Sequence, residues 1–374
     1  MKKIAFIINN VDFLISHRLP ILLEALKDGF QVHVIAPNSN NNEVLKGHNI
    51  IGHDLFLSRG GNNPFYDLFT LLQLIKLLKR LKPDLIHLVT IKPTLYGGIA
   101  ARIAKVPHVV AAVSGLGTVF LSSGIISGLR RLLVTNLYRS ALKHKKIKVI
   151  FQNPDDRKLL VSAGVLKAAD SCLIRGSGVD LREYPYLPEN AFGKTVVMAS
   201  RLLRDKGVYE FIEAARLLKQ RNVEADIRII GSPDVCNPTS ITEVEINKWA
   251  SENIVEFCGF RSDIAEQYSK ANIVCLPSYR EGLPKCLVEA AACGRAVVTT
   301  DVPGCRDAIE ADVTGVLVAV RDPVSLADAI EYLLKNPDER IRMGQAGRLL
   351  AENEYSIEHI VNQHLSIYNE LIQS

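Results

Sequence analysis

The chain has 374 residues, 48% of them hydrophobic and 23% charged, with a formal net charge of +5. That composition excludes a disordered or low-complexity protein, and the length exceeds what one hydrophobic core usually organises, so two domains are expected. The charge is uneven: residues 1–180 carry 24 Lys and Arg against 11 Asp and Glu, and the remainder carry 21 against 29, so the first half should attract anions such as membrane headgroups, diphosphates or nucleic acid.

The N-terminus, Met1 to Asn10, has a basic start, but its apolar run is too short for a signal peptide and lacks a small-residue cleavage site; Ile4–Ile8 reads as a first β-strand. Further short β-branched runs follow at Val32–Ala36, Asp84–Val89, His108–Val113, Lys148–Gln152 and Ser171–Arg175. The uncharged stretch Val109–Leu129 is long enough for a membrane span, yet nine of its residues are Ser, Gly or Thr, so it reads as a strand, a glycine-rich loop and a helix start.

From Ile125 to Ile150 the chain holds Arg130, Arg131, Arg139, Lys143, Lys145, Lys146 and Lys148 and no acid, interleaved with Leu129, Leu132, Leu133, Leu137 and Leu142. This reads as a basic amphipathic helix, either a solvated face or one lying on an anionic membrane surface. No recognition motif or aromatic and basic platform accompanies the charge, so nucleic acid is not an expected partner.

Asp180–Pro188, with two prolines and no apolar periodicity, is the candidate linker. A second strand series then runs Thr195–Ser200, Asp226–Ile230, Ile254–Cys258, Asn272–Leu276, Ala296–Thr300 and Gly315–Val318, with helical segments such as Tyr209–Arg221 between. The alternation predicts an α/β protein of two Rossmann-like domains with mostly parallel sheets, residues 1–182 and 189–355, facing across a cleft that would hold the ligand. Seven cysteines, all from Cys172 onward, show no paired metal-ligand spacing or disulfide framework, so no metal site is expected and a reducing cytoplasm fits.

Two strand ends carry the chemistry. After Val196–Ala199 comes Ser200-Arg201-Leu202-Leu203-Arg204-Asp205-Lys206-Gly207, where Arg201 and Lys206 are placed to neutralise a diphosphate and the charge that develops as it leaves. After Ile273–Leu276 comes Pro277-Ser278-Tyr279-Arg280-Glu281-Gly282-Leu283-Pro284-Lys285-Cys286-Leu287-Val288-Glu289-Ala290. Pro284 suits a first helical turn, which would leave the N–H groups around Gly282 and Leu283 as an anion site. Glu281 in the turn and Glu289 in the helix would address different hydroxyls of one bound molecule.

These paired segments resemble the retaining glycosyltransferases of the GT-B fold in the large family numbered four, over nearly the whole chain. The resemblance implies that Arg201 and Lys206 bind the donor diphosphate, that Glu281 contacts the transferred sugar and that Glu289 holds the ribose. It also implies catalytic roles for Glu281, Arg201 and Lys206. Two further pieces look like the same family: Ile174-Arg175-Gly176-Ser177-Gly178-Val179-Asp180, and Phe257-Cys258-Gly259-Phe260-Arg261, which would line the base pocket. By the sequence Phe260 is either a core residue or a base contact. The C-terminal residues 356–374 are expected as a helix packing back on the first domain.

A bacterial subgroup that extends sugars on undecaprenyl diphosphate is similar in Ser16-His17-Arg18-Leu19-Pro20, in His87 to Gly98 and in Ser114-Gly115-Leu116-Gly117. On that resemblance His17, Arg18, Lys92, Ser114 and Gly115 would face a lipid-linked glycan acceptor, and the donor would be a UDP-N-acetylhexosamine, a co-substrate with no cofactor beside it. The enzyme would then work peripherally on the inner face of the cell membrane. The chain departs from the wider family in its first loop, Asn9-Asn10-Val11-Asp12-Phe13, and in Val113-Ser114-Gly115, where no catalytic histidine can be transferred; His17 and His87 stay open as cleft or structural residues.

No Asp-x-Asp pair occurs, in keeping with a metal-independent retaining transfer. A nicotinamide-dependent dehydrogenase is excluded by the absence of any glycine from Asn9 to Pro20, where its fingerprint would lie. A nucleotide-sugar epimerase and a non-catalytic sugar-nucleotide-binding protein remain as alternatives.

Overall fold

The computed structural model of the protein describes residues 1–57, 64–116, 125–235 and 237–373, without the side chains of Pro64 and residues 125–131. The chain forms two compact units, one of Met1–Ser177 with Glu358–Ser374 and one of Gly178–Ile357. Among the described residues no helix is long and apolar enough to cross a membrane.

The first unit runs β1 (Lys3–Ile7), α1 (Val11–Lys27), β2 (Gln31–Ala36), α2 (Glu43–Gly47), β3 (Ile51–Asp54), α3 (Pro64–Leu81), β4 (Leu85–Val89), α4 (Ile91–Ala104), β5 (His108–Val113), α5 (Ile125–Ala141), β6 (Ile147–Phe151), α6 (Pro154–Ser162) and β7 (Ser171–Leu173). All seven strands pair in parallel in the order β3-β2-β1-β4-β5-β6-β7. Strands β4 and β5 are buried at every position, because helices cover both faces of a parallel sheet and leave no side for polar residues.

Two glycines fix how closely α4 packs. A Cβ on Gly97 would stand 2.4 Å from Leu88 Cδ2, and one on Gly98 would stand 2.3 Å from the Ala141 carbonyl oxygen. The Gly97-Gly98 pair, expected on the acceptor side, thus lets α4 pack against β4 and α5. The basic stretch divides likewise: the helix stops at Ala141, Lys148 lies in β6, and the side chains of Leu129, Arg130 and Arg131 are outside the described residues. Arg139 donates to the Gly164 and Ala163 carbonyls, so this cation satisfies the end of α6.

The second unit runs β8 (Thr195–Ala199), α7 (Val208–Gln220), β9 (Asp226–Ile230), α8 (Glu243–Ser251), β10 (Glu256–Phe257), α9 (Ile264–Lys270), β11 (Ile273–Leu276), α10 (Lys285–Ala292), β12 (Ala296–Thr300), β13 (Gly315–Val318), α11 (Pro323–Lys335) and α12 (Pro337–Leu350). Its six strands are all parallel in the order β10-β9-β8-β11-β12-β13. The order reverses between β8 and β11, so the loops after these two strands lie at the switch point of the sheet, where an open parallel sheet binds ligands beyond its carboxyl ends.

The chain enters the second unit at Gly178, ahead of the expected linker. Asp180–Pro188 is docked on that unit: Arg348 donates to the Tyr184 carbonyl (2.9 Å) and Arg295 to the Leu187 carbonyl (2.6 Å). The prolines remove donors, and the arginines take up the carbonyls that a regular element would have used. On the return crossing, Val179 pairs with Ser356. Helix α13 (Ile357–Gln373) then packs within the first unit from Glu358 onward.

Candidate active site

The crevice of the second unit is built from three loops sewn together. After β8, a tight turn over Arg204–Lys206 ends at Gly207, whose φ of +78° and position 2.1 Å (for a Cβ) from the Pro277 carbonyl oxygen exclude any larger residue. After β11, the Tyr279 N–H donates to the Asp205 carbonyl at 2.9 Å, and the Ser278 Oγ lies 3.0 Å from the same oxygen. After β12, the Pro303 carbonyl accepts from the Glu281 N–H at 3.0 Å.

Lys206 and Glu281 therefore meet at the switch point. Their Nζ and Oε1 are 2.5 Å apart, and the Ser278 hydroxyl donates to the same carboxylate oxygen at 2.7 Å. Burial alone would lower the Lys206 ammonium, but the adjacent Glu281 carboxylate overrides it and holds the pKa above the ordinary lysine value. Gly282 and Leu283 are buried beside this pair. Pro284 is the residue before α10 rather than a member of its first turn, in extended backbone, and its carbonyl accepts from the Leu287 N–H.

Glu289 is buried just over a turn into α10. The Tyr184 hydroxyl donates to its Oε1 at 2.6 Å, and Lys285 Nζ stands 3.2 Å from the same atom. Burial raises the Glu289 carboxyl pKa above its ordinary value, against the pull of Lys285 and Tyr184. Arg201 extends from the β8 loop to Asp234 in the loop after β9 (2.8 Å) and is more than half exposed. Gly178, with φ +81°, is buried at the start of the unit. Phe260, which the sequence left open as a core residue or a base contact, is 78% exposed and so is not part of the core.

Sequence reasoning missed Tyr184, Ser278 and Asp234 as partners of these groups. Ser278 stood inside the quoted motif three residues before Glu281, and that spacing was the available signal. Tyr184 and Asp234 are distant in sequence, and only the folded chain brings them in.

In the first unit the expected residues separate by depth. Arg18 is 2% exposed on α1, and burial pushes its pKa down to about 10. His87, within β4, is fully buried: its Nδ1 lies 2.5 Å from the Tyr368 hydroxyl of α13, and its ring stacks on Phe6 and His364. Both are core residues, because the first unit folds α13 over that part of β4. His17 remains on the surface side of α1, stacked on Phe13 with its Nδ1 2.7 Å from the Ser16 hydroxyl.

The loops at this sheet's own switch point, after β1 and β4, are joined by Thr90 donating to Asn9 at 3.1 Å. Thr90 has φ +74°, a strained value for a β-branched residue, and leads into α4, where Lys92 pairs with Asp67 of α3 at 3.3 Å. Ser114 and Gly115 (φ +122°) follow β5, and the Ser114 hydroxyl has no hydrogen-bond partner among the described residues. Gly117 lies outside the described residues.

Two all-parallel α/β units, one with cations and carboxylates gathered at its sheet's switch point, define a GT-B glycosyltransferase. Residues 187–350 match the family described as Glycosyl transferases group 1, and residues 3–153 match Glycosyl transferase 4-like. The chain is 32% identical to the N,N'-diacetylbacillosaminyl-diphospho-undecaprenol alpha-1,3-N-acetylgalactosaminyltransferase of Campylobacter jejuni, covering 96% of each chain. It is 26% identical to the capsular polysaccharide biosynthesis glycosyltransferase CapM of Staphylococcus aureus, again over 96% of each. Among solved structures, Anabaena HepE in complex with UDP superimposes with a TM-score of 0.77 at 20% identity, over 99% of this chain and 100% of that one. The chain belongs to the group 1 glycosyl transferases, family four of the GT-B fold.

Proposed function

We propose that the protein transfers an N-acetylhexosamine from a UDP donor, with retention at the anomeric carbon, to a glycan carried on undecaprenyl diphosphate. The observation that carries this reading is the Lys206–Glu281–Ser278 cluster at the switch point, with Glu289 poised on the adjoining helix. Lys206 and Arg201 would take the diphosphate, Glu281 the sugar, Glu289 the ribose and Phe260 the base. Acceptor and donor classes are supported by the Campylobacter relative's action on a diphospho-undecaprenol and by the UDP bound to HepE.

In the transfer, the bond from the anomeric carbon to the diphosphate oxygen breaks, the bond to the acceptor oxygen forms on the same face, and the acceptor's proton passes to the departing phosphate oxygen. The demand on the protein is stabilisation of charge on the leaving diphosphate, which Lys206 and Arg201 would supply by turning from Glu281 and Asp234 towards the donor. On the acceptor side we assign Lys92, Ser114, Gly115 and His17. Arg18, being buried, would support that side rather than touch the acceptor.

The test is a screen of radiolabelled UDP-sugars against undecaprenyl-diphosphate glycans, repeated with Glu281→Ala and Lys206→Ala. Transfer by the wild type with a loss of about 10²-fold or more in each variant is expected. Undiminished turnover in either variant refutes the assignment.

A further inference from the structure

We propose that helix α3 docks the protein on an anionic lipid bilayer, with its first turns entering the headgroup region. This deepens the proposed lipid-linked acceptor by naming the surface that meets the membrane.

Helix α3 buries Thr70, Leu74, Leu77 and Leu78, one face at helical spacing, as a helix on a sheet should. Its outward stripe is not uniformly polar. Leu68, Phe69 and Leu72 are 55, 58 and 57% exposed, and the same stripe continues into exposed Lys76, Lys79 and Arg80. Seven residues separate Phe69 from Lys76, roughly 10 Å along the axis. An apolar tip with cations about that far behind it matches the depth from acyl boundary to lipid phosphate, where an interfacial helix buries its apolar side by about 5–10 Å.

The charge selects the occupant. A second copy docked by the same face would bring two basic stripes together in a domain already rich in Lys and Arg. An isolated polyprenyl chain would give Lys76, Lys79 and Arg80 nothing to bind. An anionic leaflet satisfies both ends of the stripe at once.

The inward side of the same turns supplies a reason for the docking. Asp67, next to Leu68, holds Lys92 at 3.3 Å, so the helix that meets the bilayer also holds the cation we assign to the acceptor side. A diphosphate tethered to a membrane lipid lies at headgroup level, the level at which this pair would then sit.

The experiment is cosedimentation of the full chain with vesicles of phosphatidylglycerol and phosphatidylethanolamine, and with phosphatidylcholine alone. The wild type is expected to sediment with the anionic vesicles only. Leu68→Ser/Phe69→Ser/Leu72→Ser, checked for native circular dichroism, and Lys76→Gln/Lys79→Gln/Arg80→Gln should each weaken binding by about tenfold or more. If the triple serine variant does not fold, Phe69→Ser alone is read the same way.

Binding by the serine variants equal to wild type, wild-type binding to phosphatidylcholine equal to that on anionic vesicles, or a dimer that the serine changes dissociate without altering vesicle binding would each overturn the proposal. Transfer to a short-chain, water-soluble diphosphate acceptor should be unchanged in the serine variants. A wild type that binds anionic vesicles but transfers to no diphosphate acceptor would refute the proposed acceptor while sustaining the docking surface.

Discussion

Lys206 and Glu281 are opposite charges 2.5 Å apart, with side chains only 20 and 13% exposed. In the proposed mechanism the donor diphosphate joins this pair, so Lys206 does two jobs: it keeps a carboxylate satisfied before the donor arrives and takes an anion afterwards. Lys206→Met removes the ammonium from Glu281 and should cost about 3 kcal/mol of stability, near the lower end for breaking a buried pair. Saturating UDP should raise the wild-type melting temperature by roughly 5–10 °C, and much less in the variant. Differential scanning fluorimetry with and without UDP reads both effects, and an equal UDP shift in the two proteins contradicts the diphosphate role. Tyr184 acts one step removed, by fixing Glu289. Tyr184→Phe deletes a hydrogen bond to a carboxylate, worth about 1.5 kcal/mol, so the donor KM should rise about tenfold while kcat stays within about twofold. Steady-state kinetics at saturating acceptor separates these, and a change confined to kcat contradicts a role in holding the donor.

At the scale of elements, the crevice depends on how closely the loop after β8 passes the loop after β11. Gly207→Ala would put a methyl 2.1 Å from the Pro277 carbonyl oxygen in backbone that disfavours any side chain. A loss of roughly 2–4 kcal/mol and a drop in kcat/KM are expected, since Lys206 moves with the turn. Thermal unfolding and kinetics on one preparation test this, and a variant as stable as wild type refutes the close approach. These loops were legible in the sequence because each follows a short β-branched run, and in a parallel sheet strand ends are where functional side chains collect. Strand β3 was not legible: Ile51-Gly52-His53-Asp54 lies at the sheet edge with polar and partly exposed residues, which no apolar run announces. The end of the basic helix was not legible, because charge patterning marks a face and not an end: the cations run on past Ala141, where the helix stops, to Lys148 in β6. Depth was equally hidden: Arg18 and His87 are residue types that serve clefts, and only the packing of α13 shows them to be core.

At the scale of the whole molecule, the two units should answer acid in opposite directions. All nine histidines fall within the first unit's residues, and none within Gly178–Ile357. Burial, with the neighbouring His53 and Lys3, pushes His33 down to about 4; burial and the Arg18 charge push His364 down to about 3 and hold His87 well below its usual value. A histidine pKa lowered by folding means that the unfolded chain takes up the proton first. The stability these groups contribute is complete above about 6.5, shrinks as pH falls below that, and is gone once pH has passed through the folded values. In the second unit Glu289 and Glu189 are raised by burial, so what they contribute is present at low pH and is lost as pH rises through their folded values. Its ion-paired and hydrogen-bonded carboxylates, such as Asp263, Glu245 and Glu252, are lowered and lose their contribution only below the ordinary carboxylate range. Between pH 7.5 and 5, therefore, the first unit should weaken while the second holds or gains. Trp249, the single tryptophan, is buried in the second unit and reports it alone, whereas far-ultraviolet circular dichroism reports both. The two thermal transitions should diverge on acidification, the dichroic one broadening to lower temperature while tryptophan fluorescence stays put. His364→Phe, which cannot take up the proton, should narrow that gap, and transitions that fall together in both proteins would show that the buried histidines do not control acid stability.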